Sequence, residues 1–136
     1  MDRRNMMTAT AGLLAAGAAG TSSVAIAAEE NDVCEAGCTD CSAACLACVS
    51  ECLNELSQGK TAYAECIRLC LDCADICAAC SSITVRKGPM AKVISLACAE
   101  ACEECAAECE KHSDATCKAC AERCRECAKE CREAAA

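Results

Sequence analysis

The chain reads as an all-α protein, an up-down-up-down antiparallel four-helix bundle with thiols lining its core. Three observations lead there. Twenty cysteines in 136 residues fall in four strings, and inside each string the step alternates strictly between three and four. That is the spacing of one inward stripe on an α-helix. The strings are separated by short segments rich in turn formers, so neighbouring helices must run antiparallel. The chain has no Trp or Phe and a single Tyr, so a core of ordinary aromatic packing is excluded and cysteine and alanine must fill the interior.

Residues 1–28 stand apart as an export signal, and 29–136 form the cysteine-rich bundle. Arg3-Arg4 opens the chain, a weakly apolar Ala/Gly stretch runs from about Thr8 to Ala19, and Ala25-Ile26-Ala27 offers a small-residue cleavage site. Paired arginines before a mild apolar region resemble a twin-arginine signal, although Asn5, Met6 and Met7 replace the usual polar-Phe-Leu; a general secretory signal is the alternative. The expected destination is a bacterial periplasm. No later apolar run approaches the roughly 20 residues of a membrane span.

Each helix then has its own signals. The first carries Cys34, Cys38, Cys41, Cys45, Cys48 and Cys52, starts at an Asn31 or Asp32 cap and runs to about Leu56. Ser57-Gln58-Gly59 ends it, with Gly59 supplying the left-handed turn. The second carries Cys66, Cys70, Cys73, Cys77 and Cys80, with Thr61 as its cap and an end near Ile83. Pro89 suits the first turn of the third, which carries Cys98, Cys102, Cys105 and Cys109 and reaches about Lys111. Ser113 or Asp114 caps the fourth, which carries Cys117, Cys120, Cys124, Cys127 and Cys131 and ends near Arg132. Its Glu122, Glu126, Glu130, Arg125 and Lys129 belong on polar faces. A repeat solenoid is disfavoured because the four units share no fixed period and are joined by unlike loops.

Four such stripes enclose a column of sulfur, and the chemistry of sulfur selects the ligand. Soft thiolates favour Cu(I), and many sites in a row favour an ion that needs few ligands per site. Tetrahedral zinc wants four ligands in knuckle or finger spacing, and iron–sulfur clusters want a compact cysteine loop. A two-coordinate site can be met by one helix through a Cys-x-x-x-Cys or Cys-x-x-Cys pair. Thiolates that bridge two Cu(I) ions bring the column towards neutrality, which eases its burial. All twenty cysteines are therefore candidate ligands, for on the order of ten to twenty ions. The alternatives are a zinc or cadmium sink of metallothionein type, a disulfide-stapled domain and a thiol–disulfide redox protein. Stapling along one stripe would join cysteines whose Cβ vectors diverge, and no strand pattern accompanies a thioredoxin-like motif.

The pattern resembles the bacterial copper storage proteins, most specifically over Cys117-Lys118-Ala119-Cys120 through Cys131 and over Pro89-Met90-Ala91-Lys92-Val93 leading to Cys98. The resemblance implies Cu(I) held inside the bundle, a homo-oligomer (commonly a tetramer) and, with Arg3-Arg4, the exported branch. Exported members often place Met and His at the open end of the bundle. Here the first inter-helix turn, Leu53 to Gly59, has neither.

The register also orders the two ends. Glu55, Tyr63, His112 and Ser113 extend the stripes at one end, and His112, the only histidine, stands three residues beyond Cys109. It is a candidate ligand where copper enters, against the plainer reading of a solvent-facing histidine favoured by a helix C-terminus. Ile83, Val85, Met90, Val93 and Ile94 make an apolar plug at the other end. The formal charge of −8, with dispersed basic residues, disfavours nucleic acid as a partner. No Ser/His/acid set is present for catalysis.

Overall fold

The computed structural model describes residues 30–136. The signal features Arg3-Arg4, Thr8 to Ala19 and Ala25 to Ala27 lie outside them. Four helices follow in order: α1, Glu30–Ser57; α2, Ala64–Val85; α3, Ala91–Cys109; and α4, Ala115–Ala135. A 3-10 turn, Thr61–Tyr63, precedes α2. Each helix packs on its two chain-order neighbours around a square, α1 on α2 and α4, α3 on α2 and α4. This is the antiparallel four-helix bundle that the spacing predicts.

The inward stripe is made of sulfur. All twenty cysteines are buried, nineteen with no exposed surface and Cys120 at 1%. Alanines 74, 99, 106, 121 and 128 fill the flanks of the stripe, where small side chains let the helices approach closely. At Gly37 on α1 the approach is closer still. A Cβ there would collide with the Glu130 carboxylate of α4, which lies over the glycine and holds Arg123 at 2.8 Å.

Several boundaries differ from expectation. Asn31 and Asp32 lie inside α1, which already includes Glu30, so neither caps it. Thr61 does not cap α2: the chain turns once more as a 3-10 helix, and no side chain bonds the α2 N-terminus. Pro89 precedes α3 rather than joining its first turn, because Met90 is the N-cap residue. The helix also stops at Cys109, two residues early, while α1, α2 and α4 run slightly past their expected ends. The fourth cap is Asp114, whose carboxylate accepts from the Cys117 N–H at 2.8 Å; Ser113 is exposed outside it. Gly59 takes φ of +86°, as its turn requires, while the α2–α3 turn uses Lys87 at φ +52°.

One described helix, over Asn31–Ser57, is long and apolar enough to cross a membrane, which corrects the expectation that no such run exists. Its apolarity comes from cysteine and alanine, and the six cysteines face the bundle axis. The polar rim is tied across α3 and α4 by Arg125–Glu110 at 3.0 Å and Arg132–Glu103 at 2.8 Å. Both pairs are half-exposed, so water screens them and each adds little.

Candidate metal centre

The sulfurs form one continuous column. From the end where α1 meets α2 it starts with Cys52, Cys117 and Cys48, with Sγ–Sγ distances of 3.7 Å for Cys52–Cys117 and 3.4 Å for Cys48–Cys117. It passes through Cys66–Cys109 at 3.6 Å and Cys70–Cys105 at 3.5 Å. In the middle Cys45 meets Cys120 and Cys124, each at 3.8 Å. Cys73–Cys102 at 3.7 Å and Cys77–Cys98 at 3.5 Å continue it. It closes at Cys38–Cys127, 3.8 Å, and Cys34–Cys131, 3.3 Å. All twenty are free thiols, and these separations stand well beyond the roughly 2.05 Å of a disulfide.

Proximity is not confined to single helices, although the one-helix pairs that the spacing allows are present too. Same-helix neighbours are i,i+4 pairs at 3.8 to 4.0 Å, such as Cys48–Cys52 and Cys98–Cys102, while pairs between helices approach to 3.3 Å. Groups of four sulfurs, all within 4.8 Å of one another, draw on three or four helices: Cys34, Cys38, Cys80 and Cys131; Cys38, Cys98, Cys127 and Cys131; Cys41, Cys77, Cys102 and Cys127. The groups overlap, with Cys38, Cys127 and Cys131 each serving two of these three. Sequence spacing cannot reveal this, because it fixes positions along a helix and not the stagger between helices.

The overlap bears on the choice of ion. A metal–thiolate bond of about 2.3 Å gives sulfur–sulfur edges of about 3.8 Å in a tetrahedron and about 4.6 Å across a linear site, so the column's spacing admits either. Charge separates them. Five isolated zinc sites of four thiolates each would bury about ten negative charges, whereas one Cu(I) per bridging thiolate leaves none.

Before any ion binds, the thiols of the column differ widely in acidity. Hydrogen bonding to neighbouring sulfurs, then burial, pushes Cys45 and Cys102 well above the ordinary thiol range. Cys98 and Cys105 go the other way, to about 7 and about 6, held down first by hydrogen bonds with Cys102 and Cys109 respectively. The thiols thus divide into those that keep a proton and those poised to give one up.

The two ends differ in chemistry. At the α1–α2 end His112 is buried and not solvent-facing: it is 9% exposed and stacks on Tyr63, ring centroids 4.1 Å apart. Its Nε2 has no hydrogen-bond partner and faces the buried Glu108 carboxylate at 3.5 Å. Lys111 reaches the same carboxylate at 2.6 Å. Tyr63 packs against the sulfur core and donates to Asp114 at 3.3 Å. Glu55 pairs instead with Lys60. Glu108 was missed by the sequence reading because it stands beside Cys109 and off the stripe. At the opposite end the expected plug is incomplete: Val85, Met90 and Val93 are 64%, 55% and 58% exposed, leaving Ile83 and Ile94 half-buried behind them.

The family model described as Csp, copper storage protein, matches residues 27–136. The chain belongs to the copper storage protein family. Among solved copper storage proteins, it is similar to Cu(I)-bound BsCsp3, at 41% identity and a TM-score of 0.74, covering 79% of this chain and 100% of that one. Apo copper storage protein 3 from Bacillus subtilis matches at 42% identity and a TM-score of 0.69, covering 78% and 99%. A Streptomyces lividans copper storage protein, Ccsp, loaded with 10 copper equivalents, matches at 33% identity and a TM-score of 0.72, covering 78% and 83%. Comparison with the curated proteins found no match.

Proposed function

We propose that this copper storage protein sequesters many Cu(I) ions along its interior, with the twenty cysteine thiolates as ligands, and that it stores copper and catalyses nothing. The observation that carries the reading is the column of reduced sulfurs, with neighbours at 3.3 to 4.0 Å in each half and the halves joined through Cys45, Cys105, Cys120 and Cys124, all within 4.8 Å of one another. Copper held in such number suits a reserve or a sink. Similarity to the Cu(I)-bound and copper-loaded proteins above supports the same ion.

The deciding experiment is anaerobic titration with Cu(I) against a competing chelator. Ten or more equivalents per chain should bind before the chelator takes any, and thiol-reactive reagent should lose access in step. Saturation at one or two ions would end the storage reading. Zinc stopping near five ions and resisting displacement by Cu(I) would favour the zinc or cadmium sink, which the groups of four sulfurs accommodate geometrically. Light scattering on the same preparation should give a mass above the monomer, as the homo-oligomer implied by the family resemblance requires.

The location reading rests on the leader. Arg3-Arg4 and Ala25-Ile26-Ala27 support export to the periplasm as a folded protein, which would protect thiols from random oxidation. A matched Streptomyces lividans protein is described as cytosolic, so location needs its own measurement. Cell fractionation should recover the chain in the periplasm, and exchange of Arg3 and Arg4 for lysine should retain it in the cytoplasm. Cytoplasmic recovery of the native chain would overturn export and leave storage standing.

A further inference from the structure

The stripe does not stop at the last sulfur. At the end of the column remote from His112, its next positions are Thr84, four residues after Cys80, and Ser95, three before Cys98. Both are buried, at 3% and 2% exposure, and both carry a hydroxyl where the rhythm would place a thiol. Their hydroxyls behave differently. Thr84 donates back to its own helix, to the Cys80 carbonyl at 2.8 Å and the Ser81 carbonyl at 3.2 Å, the usual outlet for a helical hydroxyl. Ser95 makes no such bond. Its Oγ stands 3.9 Å from Cys34 Sγ and 3.8 Å from Cys80 Sγ. Those two sulfurs are themselves 3.9 Å apart and belong to the terminal group with Cys38 and Cys131.

We propose that Ser95 is a positioning residue for the outermost copper, its single hydroxyl proton shared between the thiolates of Cys34 and Cys80 at the blind end of the column. This rests on the Cu(I) storage reading. A thiolate in the middle of the column bridges ions on both sides and gives up its negative charge to them. At the end there is an ion on one side only, so residual charge stays on sulfur. That charge is buried, and water cannot reach it. A hydroxyl aimed at both sulfurs supplies the missing donor, and a hydrogen bond to a charged acceptor is about twice as strong as one between neutral groups. A third thiolate in its place would add negative charge where no further ion can share it. The same argument explains why the rhythm breaks in chemistry but not in spacing.

The test compares Ser95→Ala and Ser95→Cys with the unaltered chain, using Cu(I) and a graded series of chelators, with helicity followed by circular dichroism. Ser95→Ala removes one oxygen from a helix that tolerates alanine, so it should fold and fill the interior sites as before. Its last copper equivalent should bind about tenfold more weakly, the loss expected for one charge-assisted hydrogen bond. Ser95→Cys should hold that last ion no tighter than the unaltered chain does, despite the extra thiol. Thr84→Val, whose hydroxyl faces its own backbone, should leave the copper isotherm unchanged. Equal affinity for the last equivalent in Ser95→Ala and the unaltered chain would overturn the role of Ser95. So would an additional, tightly held ion in Ser95→Cys, which would make position 95 an unused ligand site. Failure of the unaltered chain to load copper would fall on the storage reading instead.

Discussion

At the residue scale the least expected arrangement is a histidine buried without a hydrogen-bond partner on Nε2. That nitrogen faces Glu108 Oε1 at 3.5 Å without forming a hydrogen bond, which leaves its lone pair or proton free to answer a cation's arrival. Its neighbours suit passage of a cation: Glu108 at 3.5 Å offers negative charge, and the Tyr63 ring holds the imidazole in place. His112 is thus proposed to hand copper to the first sulfurs of the column. In His112→Ala, Cu(I) uptake measured by stopped flow should slow severalfold while capacity stays the same. Unchanged uptake and release rates would retire the idea; a lost equivalent would make His112 a storage ligand instead. Register alone placed His112 at the mouth. Its burial was not legible, because α3 ends at Cys109 and the chain then folds back over the bundle end, with the His112 N–H bonded to the Cys109 carbonyl at 3.1 Å.

At the scale of elements, legibility followed the strength of periodicity. Twenty cysteines in alternating steps leave no freedom about which face of each helix points inward, and all twenty are buried. The ends depend on weaker and more local choices. Asp114 was readable as a cap because its carboxylate can satisfy the Cys117 N–H without competition. Burial opposes that charge, but the Cys117 N–H and the Tyr63 hydroxyl outweigh it and hold the carboxyl below its usual range. Thr61 has the same capping chemistry on paper, yet the chain spends Thr61–Tyr63 on a 3-10 turn that carries Tyr63 towards the histidine. Packing at the mouth overrode capping preference there. Similarly, Val85, Met90 and Val93 read as a plug by composition, yet the inward stripe passes through Thr84 and Ser95, and the three stand exposed beside it. Gly37 drew no notice in the sequence, because a glycine inside a helix reads as a modest weakness until a partner carboxylate is found lying across it.

For the whole molecule, a core built from thiol and methyl groups buries little apolar volume per helix, so bound metal should supply a large share of the stability. Ions that bind the folded chain and not the unfolded one raise its melting temperature by mass action. The same ions compete with protons. Cys45 and Cys102, whose pKa values are raised, hold protons across the whole neutral range, and copper must displace them at every pH there. Cys98 and Cys105, lowered to about 7 and about 6, are ionised above those values, and protons compete for them only below. With about one proton released per bridging thiolate, affinity should fall about tenfold for each pH unit lost, and more sulfurs join the competition as the pH drops through 7 and then 6. The sign is therefore fixed: copper is held best in mild alkali and released progressively in acid. Melting temperatures of loaded and apo protein, recorded from pH 8 to pH 5, should differ most at pH 8 and converge towards pH 5, with released copper appearing in the chelator over the same interval. Loaded protein that kept its full thermal advantage at pH 5 would mean that the bound ion does not depend on thiolate, and the sulfur column would lose its claim to be the store.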